Sequence, residues 1–467
     1  MIRIFRHSYS ASSFLLFFCE TVVVALALYA AASYFASPAL TSGLAVSRAA
    51  GVALILSLFN SLLMYSMGLY DPPHVASFRR ALPRLIGCVV IGAPLLGHSL
   101  SIGMFASGDV DQHQTFLFAG WTALVVGCVV GARLVVMPLA RARLGMRRVL
   151  VVGAGKLAAD LEYLMTELGH SPTQVVGYVS LGSESPEVPQ TRLLNGGKSL
   201  LEMARELGVR EIVVALDDRR GMPLQPLLEA RMEGIAISSY LSFWERETRR
   251  LNLRALDPSW LIYADGFHIS TLTNTVLKRV LDVAASLLLL FFTLPLFLLA
   301  ALAIRLDSQG PVFYKQERVG RYGRNFYIYK FRTMRVDAES VGGPQWAAVA
   351  DPRITRIGAF LRRTRIDELP QILNVLKGEM SFVGPRPERP FFVASLAKEI
   401  PYYSERHRVQ PGITGWAQIN YPYGASIDDA KAKLAYDLYY IKNFSFFFDL
   451  LIILSTAKVV LFQKSAR

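Results

Sequence analysis

Apolar positions fall into long runs separated by short polar punctuation. Four runs, at about 14–36, 49–69, 85–104 and 116–139, each approach the roughly 20 residues that a bilayer-spanning helix needs. Arg3 and Arg6 precede the first run, Arg79, Arg80 and Arg84 separate the second from the third, and Arg141, Arg143, Arg147 and Arg148 follow the fourth. Lys and Arg mark cytoplasmic flanks, so these three segments are expected inside. The loop carrying Asp109 and Asp111 without Lys or Arg, and the loop carrying only Arg48, are expected outside. The first run has no convincing cleavage site and is expected to stay as a membrane helix. A fifth run, 283–304, has Lys278 and Arg279 before it and Arg305, Lys315 and Arg318 after it, so both ends ask for the cytoplasm. Pro295 lies near its middle, lacks a backbone donor and clashes with the preceding turn. The pattern predicts a re-entrant helix-break-helix over about 277–305.

The pattern changes after the fourth run. Residues 149–152 form a short buried-strand signal, followed by Gly153-Ala154-Gly155-Lys156-Leu157-Ala158 and a helical stretch to about 168. This is a G-x-G-x-x-A turn between strand and helix, as in dinucleotide-binding units. Strand signals at 175–179 and 211–215 continue the alternation, which predicts a Rossmann-like cytoplasmic domain over 146–240. Gly153 and Gly155 are the candidate nucleotide turn. The second strand leads into Ser180-Leu181-Gly182-Ser183, with no acidic residue for a ribose, which favours a structural or regulatory role. Residues 241–276 read as a basic and aromatic connector. The last run, 444–462, carries Asp449 and Lys458 and reads as an interfacial helix with Phe444, Phe446, Phe447 and Phe448 among lipids. The fold class expected is a membrane protein of mixed α and α/β type: a four-helix transmembrane bundle over 1–145, the Rossmann-like domain, the connector, and an α-rich domain over 277–467 with a re-entrant membrane helix.

Composition agrees with membrane association: 467 residues, 52% hydrophobic, net charge +14 and a mean hydropathy of +0.34. The three cysteines, Cys19, Cys88 and Cys128, all lie in apolar runs, which excludes a disulfide framework or a cysteine metal cluster. Candidate chemistry lies further on. Residues 305–408 hold 19 Lys and Arg against 11 Asp and Glu, and within this basic stretch the adjacent carboxylates Asp367 and Glu368 open a short apolar helix. Asp367 reads as its N-cap, with Glu368 and Pro370 in the first turn. Helix-end amides and neighbouring arginines favour ionised carboxylates, which can attack phosphorus or hold a divalent metal. Lys330, Arg332, Arg353, Arg365 and Arg386 are the candidate phosphate and nucleotide contacts, with Arg386 presented by the turn Gly384-Pro385-Arg386-Pro387. Lys330 and Arg332 share one face if extended. A nucleic-acid partner is not expected, for want of a recognition motif. None of the 20 tyrosines has Lys four positions on, which excludes a Tyr-x-x-x-Lys nucleotide-sugar dehydratase or epimerase.

From about residue 277 onward the chain resembles the monotopic phosphoglycosyl transferases, the bacterial sugar transferases also called polyprenyl-phosphate hexose-1-phosphate transferases. The resemblance lies in Lys278-Arg279-Val280-Leu281-Asp282, Gly310-Pro311-Val312-Phe313-Tyr314, Gln316-Glu317-Arg318-Val319-Gly320, Lys330 to Met334, the run 365–387 and Pro411-Gly412-Ile413-Thr414-Gly415-Trp416. The preceding helices and Rossmann-like domain resemble the large subclass, and Ser259 to Phe267 resembles its branch linked to exopolysaccharide production with PEP-CTERM sorting. The resemblance implies that Asp367 attacks the sugar-proximal phosphate of a UDP-sugar, releases UMP and carries a phosphosugar to polyprenyl phosphate. Glu368, with Asp367, would bind Mg2+. It also implies a multi-pass protein of the bacterial inner membrane, with its catalytic domain on the cytoplasmic face, and a homodimer. Leu294 stands before Pro295 where smaller members have serine. The alternative is a non-catalytic membrane sensor or scaffold of polysaccharide assembly whose Rossmann-like domain binds a nucleotide.

Overall fold

The structure is a computed structural model that describes residues 2–4, 7–9, 11–35, 43–67, 69–70, 81–82, 84–86, 88, 120, 123, 126–135, 146–168, 173–181, 185–194, 197–264, 266–267, 272–335, 353–422, 424 and 426–462. The chain folds as two compact units, Met1–Phe243 and Trp244–Arg467.

The first unit opens with a hairpin, β1 (Ile2–Ile4) and β2 (His7–Tyr9). Two apolar helices follow, α1 (Ala11–Phe35) and α2 (Gly43–Ser66). They pack through Leu16, Val24, Leu28, Ala53, Leu56 and Met64, while Leu26 and Ile55 face outward. Helices that are apolar on the outside as well suit a lipid surround. The third apolar run lies mostly outside the described residues, and the fourth is helical over 126–135. Its Arg133 forms a fully buried ion pair with Glu20 of α1 at 2.7 Å, and Tyr70 donates to the same carboxylate at 2.7 Å. Among the described residues one helix, Thr275–Asp307, is long and apolar enough to cross a membrane, so the expected four-helix bundle is seen only in part.

The same unit contains a five-stranded parallel sheet of β3 (Arg147–Val152), β4 (Thr173–Val179), β5 (Leu193–Leu194), β6 (Glu211–Val214) and β7 (Ala236–Ser239). Their order is β5-β4-β3-β6-β7. Val149 to Val152 are buried on both faces, which is why β3 reads as an unbroken apolar run. The order reverses between β3 and β6, where such sheets leave a crevice beyond the strand ends. There Gly153 has φ +122°, and a Cβ on it would fall 2.2 Å from the Ala215 carbonyl oxygen, so only glycine fits. The following helix, α3 (Lys156–Leu168), has its first amides already engaged: Lys156 N and Leu157 N donate to the Asp217 carboxylate at 2.8 and 2.9 Å.

In the second unit, the stretch read as a connector is bonded to the C-terminal fold. Leu251 N donates to Ala435 O, Phe267 N to Lys442 O and Trp416 Nε1 to Arg249 O, and Leu251 is buried in the same core. The long helix α4 (Leu272–Asp307) continues through Pro295 and is not split into two helices. Proline forfeits only its own amide bond, and the turns on either side keep theirs. Thr293 Oγ1 bonds back to Leu289 O at 2.6 Å just before it, a contact that bends helices. Both ends of α4 pack on the same domain. At its start, Lys278 donates to Val383 O and pairs with Asp449, Arg279 donates to Val375 O and Leu376 O, and Asp282 accepts from Ser381 Oγ and Phe382 N. At its end, Phe297, Ala300 and Ile304 pack on Phe331. Between them Leu287, Leu288, Phe291, Phe292 and Leu294 are exposed.

Two small sheets complete this domain. β8 (Phe313–Val319) and β9 (Asn325–Phe331) form an antiparallel hairpin in the register Phe313↔Phe331, and β10 (Ser381–Val383) lies parallel to β11 (Gly412–Thr414). The C-terminal helix departs from the interfacial expectation. It spans Phe446–Phe462, but Phe448 is buried against Trp416 and Tyr440, and Phe444 packs on Tyr440. Asp449 is 1% exposed because Lys278 and the Tyr440 hydroxyl satisfy its carboxylate, so the charge that suggested a water-facing helix is internal. Phe447 remains exposed.

Candidate active site

The acidic pair lies on a 3-10 turn, Ile366–Gln371, followed by α5 (Ile372–Lys377). Asp367 is therefore not an N-cap. The residue before the turn is Arg365, at φ 61°, whose carbonyl receives Glu368 N. A 3-10 turn aligns every third side chain. Ile366 and Leu369 thus go into the core with Ala300 and Ile304, and Asp367 and Glu368 take the remaining sides.

Glu368 Oε1 accepts from Arg386 Nη2 at 2.7 Å and from Lys330 Nζ at 3.2 Å. Burial opposes its ionisation, but Arg386 and Lys330 outweigh burial and hold the carboxyl well below the usual range. Asp367 behaves oppositely: burial raises it, with Lys330 opposing and the Glu368 charge adding to the rise. Among the described residues no donor bonds the Asp367 carboxylate. The ammonium of Lys330 is lowered by burial, Glu368 opposing and Arg386 reinforcing the shift. Two adjacent carboxyls thus differ: one is locked as an anion by two cations, the other is buried and uncommitted.

Arg386 is presented by a tightly held turn. Gly384 N donates to Thr414 O, Gly412 N to Pro385 O, and Arg318 Nη1 to Pro387 O. A Cβ on Gly384 would lie 2.2 Å from Gln410 O, and one on Gly412 2.1 Å from Gly384 N, so the Gly-Pro-Arg-Pro and Pro-Gly-Ile-Thr-Gly segments cross at backbone contact. Lys330 comes from the end of β9, opposite Tyr314.

The remaining basic candidates are placed differently. Arg332 lies just past the end of β9, where its amide still donates to Val312 O. Its guanidinium donates to Ser308 O and Oγ and to Gln309 O, closing the carbonyls beyond α4. Arg353 lies beside the Met334↔Ile354 bridge, where its carbonyl receives Arg335 N. Arg365 is exposed and adds to the field on Glu368. Sequence reasoning missed Arg406, buried and bonded to Arg386 O at 3.0 Å, and its partner Asp437. Neither stands in a periodic pattern or beside the acidic pair. Arg318 stood out in the sequence only as a basic flank of the fifth apolar run and as part of Gln316-Glu317-Arg318-Val319-Gly320.

Among the described residues no three His, Cys, Asp or Glu side chains cluster closely enough to cage a metal. Asp367 and Glu368 still suit Mg2+, which is commonly held by one or two carboxylates with substrate phosphates and water completing the shell.

Comparison with known proteins covers this unit. The family profile described as bacterial sugar transferase matches residues 273–463. A UDP-N-acetylgalactosamine-undecaprenyl-phosphate N-acetylgalactosaminephosphotransferase of Aeromonas hydrophila is 48% identical over 191 residues, 41% of this chain and 45% of that protein. A UDP-glucose:undecaprenyl-phosphate glucose-1-phosphate transferase of Xanthomonas campestris pv. campestris is 46% identical over 193 residues, 41% of this chain and 40% of that protein. The match therefore spans less than half the length of these two relatives. The exopolysaccharide production protein PSS of Rhizobium leguminosarum bv. phaseoli is 48% identical over 188 residues, 39% of this chain and 94% of that protein. With such a relative matched over nearly its whole length, the chain belongs to the bacterial sugar transferase family.

Proposed function

We propose that this chain transfers a hexose-1-phosphate from a UDP-sugar to polyprenyl phosphate, an early membrane step of exopolysaccharide or O-antigen type glycan assembly. The observation that carries the reading is the divided carboxyl pair. A carboxylate that accepts no hydrogen bond keeps its lone pairs for a nucleophilic role, and one held by two cations shapes the field around it. An Asp367 oxygen attacks the sugar-proximal phosphorus, and the bond from that phosphorus to the bridging oxygen breaks. UMP leaves with the bond's electrons, and an acyl phosphate carrying the sugar forms. A phosphate oxygen of the polyprenyl acceptor then attacks the same phosphorus, giving a polyprenyl-diphosphate sugar and restoring the Asp367 carboxylate. Lys330, Arg353, Arg365 and Arg386 are the candidate contacts for the phosphates and the nucleotide, Lys330 and Arg386 being the two that meet Glu368. Mg2+ held by Asp367 and Glu368 would supply charge neutralisation to the diphosphate.

The membrane arrangement belongs to the same reading: a multi-pass protein of the bacterial inner membrane, the catalytic domain on its cytoplasmic face, and a homodimer as resemblance implies. A helix that touches one domain at both ends and exposes its apolar middle favours a re-entrant dip near Pro295. The Glu20–Arg133 pair favours a bundle in which the first and fourth runs meet, because an intramembrane charge needs a partner. The middle domain is Rossmann-like, and we read it as structural, since Asp217 occupies the amides of α3 where a dinucleotide phosphate would otherwise bind.

The test is direct. Purified protein given UDP-sugar labelled in the sugar, with magnesium and no lipid, is expected to release UMP and retain label, and Asp367→Asn to do neither. Label retained equally by Asp367→Asn would exclude Asp367 as nucleophile, and unimpaired glycan assembly in cells carrying that variant would favour the scaffold alternative.

A further inference from the structure

The reach of Arg386 to Glu368 depends on where its backbone is held, and besides the contacts of the turn itself one buried side chain bonds its carbonyl. Arg406 lies on the 3-10 turn Tyr403–Arg408. Its Nη2 donates to Arg386 O at 3.0 Å and lies 2.9 Å from Asp437 Oδ2, while Nη1 donates to the Tyr403 hydroxyl at 2.8 Å. Asp437 projects from α6 (Ile427–Lys442), and the two side chains are 7% and 2% exposed. A buried ion pair is poor evidence for stability alone, since well-packed apolar residues serve as well. This one directs an arm of its guanidinium at the carbonyl of the residue whose side chain contacts Glu368.

We propose that Arg406 and Asp437 are positioning residues for the transfer reaction, holding the Pro385–Pro387 turn so that the Arg386 guanidinium faces Glu368 and the substrate phosphates. The inference rests on the reading of Asp367 and Glu368 as the transfer site. The charged and titratable groups that act on Asp437 are Arg406 and Tyr403 on the 3-10 turn, Glu388 from the segment before the helix Pro390–Glu399, and Lys433 on its own helix. Burial pushes Asp437 up to about 6, with Arg406 opposing. Above that pH the pair is intact. Below it Asp437 is neutral, Arg406 loses its counter-charge, and the hold on Arg386 weakens.

The experiment measures UMP release by the full chain against pH, with melting temperatures recorded for each variant. Asp437→Asn is expected to abolish the acid-side fall in kcat near pH 6. Arg406→Met is expected to lower kcat about 100-fold with KM for the UDP-sugar little changed, the scale expected when a catalytic group shifts by about 1 Å. Arg406→Lys should recover part of that loss, and it carries the kcat comparison if the methionine variant does not fold. A fall near pH 6 that persists in folded Asp437→Asn, or wild-type kcat in a folded Arg406 variant, overturns the inference. Failure of the wild type to release UMP from any UDP-sugar overturns the underlying transfer reading instead, so the two failures are told apart.

Discussion

Replacing Lys278 by methionine tests how α4 is fastened to the rest of the C-terminal unit. All three ammonium hydrogens are engaged: Asp449 Oδ2 at 2.6 Å, Val383 O at 2.9 Å and the Tyr440 hydroxyl at 3.3 Å. Both charged side chains are buried, at 8% and 1% exposed. Methionine fills the stem volume and leaves Asp449 the Tyr440 hydroxyl, which donates to it at 2.7 Å. Stranding a buried charge in this way costs about 3–5 kcal/mol. For a unit the size of Trp244–Arg467, each kcal/mol lowers the melting temperature by about 2–4 °C, so the expected fall is roughly 6–20 °C. The double variant Lys278→Met with Asp449→Leu should recover most of it, with a coupling energy of about 2–3 kcal/mol. The assay is thermal unfolding in detergent followed by tryptophan fluorescence, since Trp416 packs 5.0 Å from Phe448 on the helix that carries Asp449. If the two single substitutions simply add in the double variant, the pair is not a buried, mutually dependent contact and the reasoning fails.

Two further predictions concern topology and the middle domain. With Cys19, Cys88 and Cys128 replaced by alanine, a cysteine at Asp307 should resist an impermeant reagent applied outside whole cells, and ready labelling from outside would overturn the re-entrant reading. Asp217→Ala removes the carboxylate bonded to the first amides of α3 and should cost about 1 kcal/mol, as loss of an N-terminal cap does, seen as earlier melting of the middle domain. The freed amides should then show NAD binding by calorimetry that the wild type lacks; tight NAD binding by the wild type would refute the structural reading.

Several features were legible in the chain because they depend on local pattern. The unbroken apolar run at 149–152 followed by Gly153 announced a central parallel strand and its turn, since both the apolar run and the glycine turn are patterns of a few adjacent residues. The acidic pair and the Gly-Pro-Arg-Pro turn were visible for the same reason. What failed was whatever required knowing a distant neighbour. Arg332 looked equivalent to Lys330, yet its guanidinium bonds Ser308 while Lys330 meets Glu368. Asp449 looked like a water-facing charge until Lys278, 171 residues away, proved to be its partner.

Sequence by itself therefore determined the membrane-length runs, the strand and helix alternation of the middle domain, and the residue types available for phosphate chemistry, because hydrophobic periodicity and backbone sterics are short-range. Tertiary structure alone decided which cations meet Glu368, that Asp367 accepts no hydrogen bond among the described residues, and that Arg406 bonds the carbonyl of Arg386. Those are outcomes of burial and charge proximity between residues far apart in the chain, and burial of an ionisable group is defined only once the fold has closed around it.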